Sequence, residues 1–191
     1  SGAFRQYTLG AGIEVLDGNG VKGFATPLAT LLKELVDGTA PTGGYMLNKG
    51  DVGLLRGLDT LSAVEASRVV NGGSSIAAHV DHCNYYFRLM NRWAGGEKNP
   101  WKGADWAASW RKPTVTVEEW AESRADFASQ TRKWLEFISE PREVKDTELT
   151  GMIASVVHLA YHLGAIRQME RKIRGPSATN EVDAFTNEKN S

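Results

Sequence analysis

The four histidines of this chain fall into two close pairs, His79 with His82 and His158 with His162. Their i,i+3 and i,i+4 spacings put each pair on one side of a helix. Two such pairs, far apart in sequence, are how two helices would offer imidazoles to a shared divalent metal. One His-x3-His pair alone is weak evidence for a metal, because a buried neutral histidine bonded to a carbonyl is common. Two pairs that use every histidine in the chain carry more weight.

The elements that must position these residues can be read along the chain. Thr26-Pro27 starts a helix, with Thr as cap and Pro at the first helical position. Leu28, Leu31, Leu32 and Leu35 mark its face and Gly38 ends it. A second short helix covers Val52 to Leu61. Ser75 precedes the first histidine helix, Ile76 to Trp93, with Val80, Cys83, Phe87 and Met90 on its apolar face. His79 lies near the middle of that face and His82 at its edge. Residues 94–115 read as a loop containing Trp101, Trp106 and Trp110. Thr116 and Glu119 form a capping box for a long helix that Pro141 ends. A last helix runs from about Thr147 to Ile173 and is stopped by Gly175-Pro176. The expected fold class is all-α. The short link between the last two long helices predicts antiparallel neighbours. The long link 94–115 can run the length of the preceding helix, so the helices it joins are expected to be parallel. The glycine-rich residues 1–23 read as an extended arm, and the polar tail 176–191 as disordered.

On the last helix, Leu149, Met152, Ile153, Val156, Leu159, Ala160 and Leu163 form the apolar face. His158 and His162 lie roughly opposite its centre, on an uncharged side with Gly151, Ser155, Ala165 and Met169. That pattern predicts burial on both sides. Asp81 reads as solvated and Cys83 as a small core residue rather than a nucleophile. Tyr161 is expected to pack, and Arg167 to form an ion pair or meet solvent.

Composition narrows the setting. The chain has 191 residues and a net charge of -1, with a pI of about 6.4. This argues against charge-driven binding to nucleic acid or acidic membranes. Cys83 is the only cysteine, which suits a reducing compartment, and a cytoplasmic location is expected. No basic segment leads into an apolar run, so no signal peptide is expected. The uncharged stretch Leu149 to Ile166 approaches membrane-spanning length, but its histidines, serine and glycines fit a buried helix better.

Two segments carry a resemblance: Ser75-Ile76-Ala77-Ala78-His79-Val80-Asp81-His82 and His158-Leu159-Ala160-Tyr161-His162-Leu163-Gly164-Ala165-Ile166-Arg167-Gln168. They are similar to the DinB superfamily pattern, in which a Ser-led helix has a histidine seven residues on and His-x3-His-x-Gly follows later. The likeness covers most of residues 52–173, whereas residues 1–51 depart from it as an atypical N-terminal extension. The resemblance implies a four-helix bundle in up-down-down-up order, a single domain over 1–175 and often a homodimer. It also implies a metal site of His82, His158 and His162 completed by water, usually with zinc or nickel. His79 falls where the family places an apolar residue and is expected beside the site rather than in it.

Two functions follow. One is a metal-dependent enzyme acting on a small molecule, a thiol-dependent transferase using a low-molecular-weight thiol or a hydrolase. The other is a non-catalytic helical binding protein or structural dimer, its metal adventitious or absent. The tryptophans of 94–115 either wall a substrate pocket or close one end of the helices.

Overall fold

The computed structural model describes residues 23–178 and the backbone of two short strands. The strands, β1 (Val15–Leu16) and β2 (Gly20–Val21), pair antiparallel. The rest of the expected arm 1–23, and the tail from 179 onward, lie outside the described residues. Apart from this small hairpin, the described regular structure is helical, as the sequence predicts. Its helices are α1 (Ala25–Asp37), α2 (Gly53–Asp59), α3 (Ala63–Ala66), α4 (Ile76–Ala94), α5 (Val117–Ser139) and α6 (Asp146–Met169).

Helix starts follow capping chemistry. Ser75 Oγ accepts from Ala78 N at 3.2 Å and opens α4, and Thr116 and Glu119 form the expected box on α5. A second box, Ser62 with Glu65, starts the short α3, which the sequence reading does not resolve. α1 begins earlier than Thr26: Phe24 is its N-cap residue, and no side chain caps it. Pro27 is tolerated there because first-turn N–H groups have no intrahelical acceptor. α6 ends at Met169 rather than Ile173. Glu170 leaves the helix, bonds Arg68 at 2.5 Å and accepts from Lys172 N in a following 3-10 turn.

α4 packs along α5, α5 against α1, α1 against α6, and α6 against α4. The α4–α5 seam keeps a constant offset. Asn84 bonds Ser123, Arg88 bonds Asp126 and Asn91 bonds Gln130, so the two helices run in the same direction. The connection between them explains this. It leaves the end of α4 and returns to its start, where Ser75 Oγ donates to Pro113 O at 2.6 Å. Nearby, Val115 N donates to Ser67 Oγ at 3.0 Å.

The short link between α5 and α6 does not make them close neighbours. Each packs mainly on α1 and α4, and the buried Trp134 side chain reaches from α5 to α6. Its Nε1 donates to Ser155 Oγ at 2.8 Å. α6 is also not buried on both sides. Met152, Ser155, Val156, Leu159, His162, Leu163 and Ile166 face inward, at the a/d-like spacing of a helix with one buried stripe. Ile153, Val157 and Tyr161 are exposed. The helix is long and apolar enough by composition to cross a membrane, but its inner stripe packs on α1 and α4.

The end of α1 meets the start of α2 without room for side chains. Gly38 (φ +95°) and Gly53 (φ +74°) approach each other so closely that a Cβ on either would strike the other segment's backbone, and both φ values favour glycine. Asp51, buried beside this junction, accepts from Gly53 N at 2.8 Å and from Arg167 at 2.7 Å, tying it to the end of α6. Arg167 therefore forms the ion pair that the sequence reading allowed. Its side chain is 14% exposed and that of Asp51 is 2% exposed. Removing one partner strands a buried charge, at a cost of about 3–5 kcal/mol. Arg167→Met should lower the urea unfolding free energy by roughly that amount. Arg88→Met, at the half-exposed Arg88–Asp126 pair, should cost about 1 kcal/mol or less. Equal losses would refute the assignment of Asp51–Arg167 as the principal ionic tie.

Candidate metal centre

α4 and α6 bring all four histidines into one cluster. One ring nitrogen from each of His82, His158 and His162 lies within 4.8 Å of the others, close enough to hold a metal ion together. His79 stands beside this group: its Nδ1 is 2.8 Å from Nδ1 of His162. His162 is 1% exposed, and His79 and His82 are also buried. His158 is half-buried, yet its Nε2 is shut off from solvent without a hydrogen-bond partner. A buried orphan nitrogen is costly unless something occupies it. It fits a metal.

The loop 94–115 closes over the cluster. Trp110 stacks on His82, with ring centroids 4.3 Å apart at 22°, and stands edge-on to His79 at 5.1 Å. Trp106 lies 6.1 Å from His82. These tryptophans therefore border the histidines. From α4, Tyr86 stacks on His158 at 4.2 Å and 22°. Tyr161, expected to pack, is 70% exposed, and only its ring edge meets His162, at 5.1 Å. It falls on the outer side of α6, which no other described helix covers.

Sequence reasoning missed Ser109, which sits in a 3-10 turn, Ala108–Trp110. Its Oγ is 2.8 Å from Nδ1 of His82 and donates to Trp106 O at 2.7 Å. The only available signal was its position between two tryptophans of a loop already marked as a wall.

Burial keeps the imidazoles neutral. Desolvation, then the neighbouring histidines, pushes His82 down to about 4 and His162 down to about 3. Desolvation lowers His79 and His158 as well. Neutral imidazoles are the form that binds metal. Tyr86 is pushed up to about 12 by burial, then by Cys83, and remains a neutral phenol. Cys83 is buried in the core with its thiol pushed well above the usual range, which suits a packing role and not a nucleophile. Asp81 is half-buried rather than fully solvated. Desolvation raises its carboxyl, and it takes no place in the histidine group.

The chain matches the DinB superfamily over residues 53–166. That span covers more than half of its length and contains all four histidines, Ser109 and Trp110. The protein belongs to this superfamily. No curated protein and no solved structure matches it.

The lowered histidine values set a pH dependence. Unfolded histidines take up protons near 6.5, whereas folded His82 and His162 do so near 4 and 3. Below 6.5 the unfolded state therefore binds more protons and stability falls, until the folded values are reached. The thermal midpoint of chelator-treated protein should decline from pH 6.5 to 4.5, before most carboxylates titrate. A midpoint that stays flat over this interval would contradict buried neutral histidines.

Proposed function

We propose that the protein binds one divalent metal, zinc or nickel, through His82, His158 and His162, and that it is a metal-dependent enzyme. Its class would be a thiol-dependent transferase, using a low-molecular-weight thiol, or a hydrolase. The observation that carries the metal reading is the convergence of His82, His158 and His162, one ring nitrogen of each within 4.8 Å of the others, together with the buried and unpartnered His158 Nε2. Superfamily membership supports it independently. Three neutral ligands would leave a metal's charge uncompensated, and such a centre activates water or a thiolate. The chain's own residues would hold, orient and shield. His79 would fix the ring of His162, Tyr86 that of His158, and Trp110 would keep bulk water from His82. The core placement of Cys83 is consistent with a reaction that uses no protein nucleophile.

The same reading takes residues 1–175 as one domain, a four-helix bundle in up-down-down-up order. The constant α4–α5 offset supports it, as does the reversed pairing of α4 with α6, His79 to His162 and His82 to His158. The protein would act in the cytoplasm on a small molecule, without nucleic acid or membrane. A non-catalytic helical dimer is the second reading, favoured by the exposed Ile153, Val157 and Tyr161 on α6. Turnover in a thiol-transfer and hydrolysis screen would exclude it, and the dimer can serve either reading.

Protein expressed without a histidine tag in zinc-supplemented medium should carry one metal equivalent by elemental analysis. His158→Ala should lose tight binding. His79→Leu should keep one equivalent but bind it ten- to a hundredfold more weakly, since partners of ligand histidines are typically worth that much. Metal-free wild-type protein would refute the proposal. Loss of the whole equivalent in His79→Leu, with helicity intact, would make His79 a fourth ligand.

A further inference from the structure

We propose that Ser109 is a positioning residue that locks His82 in the tautomer whose Nε2 is free to coordinate. The inference deepens the metal reading and rests on it only for its affinity arm. A serine hydroxyl has one proton. That of Ser109 is committed to Trp106 O at 2.7 Å, because a carbonyl can only accept. Towards His82 the oxygen is therefore an acceptor, and the 2.8 Å contact requires the proton on His82 Nδ1. A neutral imidazole has one N–H, so the lone pair falls on Nε2.

The hydroxyl itself is held on both sides. Ser109 is buried in its 3-10 turn. Asp105 Oδ1 accepts from Ala108 N at 2.9 Å at the start of that turn. Asp105 N donates to the hydroxyl of Tyr85, on α4, at 2.9 Å. Tyr85 follows His82 by one helical turn, so the helix that carries the imidazole also anchors the loop that orients it. Trp110, the next residue after Ser109, stacks on the same imidazole. Ring plane and proton position are thus set by adjacent residues of one loop.

The test has two arms. In metal-free wild-type protein, 15N-labelled at histidine, long-range 1H–15N spectra at pH 7.5 should show His82 as the single Nδ1–H tautomer. Ser109→Ala should give a tautomer mixture at His82 while leaving His158 unchanged. Zinc affinity by chelator competition should fall ten- to a hundredfold in Ser109→Ala, the usual effect of removing the partner of a ligand histidine. Ser109→Thr, which keeps the hydroxyl, should restore both readouts. An unchanged His82 tautomer in Ser109→Ala overturns the proposal, as does wild-type affinity in that variant. Wild-type protein that binds no zinc defeats the metal reading instead, and the tautomer arm still decides the role of Ser109. Should Ser109→Ala fail to fold, Ser109→Cys, similar in size but a poor acceptor, is read in the same way.

Discussion

The structure depends on a shortage of protons among buried rings. Four neutral imidazoles carry four N–H groups for eight nitrogens, in a place water does not freely reach. Each proton must be directed by a neighbour, and each remaining lone pair must have a use. The Nδ1–Nδ1 contact of His79 with His162 admits only one hydrogen, so one ring donates and the other accepts. The Ser109 hydroxyl settles the direction at His82. What is left includes the buried Nε2 of His158, which no hydrogen-bond partner meets, and that unmet demand is the chemical content of the site.

The helices serve this arrangement more than their sequence order suggests. The histidine pairs must meet face to face, which needs α4 and α6 side by side. α5 is placed alongside α4 by a connection pinned at Ser75, the cap of that helix, and at Ser67, just after α3. One excursion of chain therefore sets the direction of α5 and also lays Trp106, Ser109 and Trp110 over the cluster. Beyond the superfamily match, α1 takes its place against α5 and α6 and is joined to the next segment at the Gly38–Gly53 crossing.

Local signals made much of this legible in the sequence. The Thr116–Glu119 box and the breaks at Gly38 and Pro141 are short-range chemistry, and they mark helix ends within a few residues. That the two histidine pairs would face each other was readable because helical periodicity converts spacing into direction, whereas the choice of His82, His158 and His162 among the four came from the resemblance to the superfamily. Non-local matters were not readable. Burial on both sides of α6 was inferred from an absence of charge, but an uncharged face can also lie open, as Val157 and Tyr161 do. Neighbourhood was inferred from a short link, but α5 and α6 each pack mainly on α1 and α4. Ser109 had no periodicity to betray it, because its role depends on a tertiary contact to a ring 27 positions earlier.

The stack of Trp110 on His82 has an optical consequence. Indole emission responds to charge and to heavy or paramagnetic ions at van der Waals distance, and this indole lies flat against one imidazole while standing edge-on to another. It remains partly open to solvent on its outer face. The molecule thus carries its own fluorophore at the cluster, placed to register what enters between α4 and α6 without any added label.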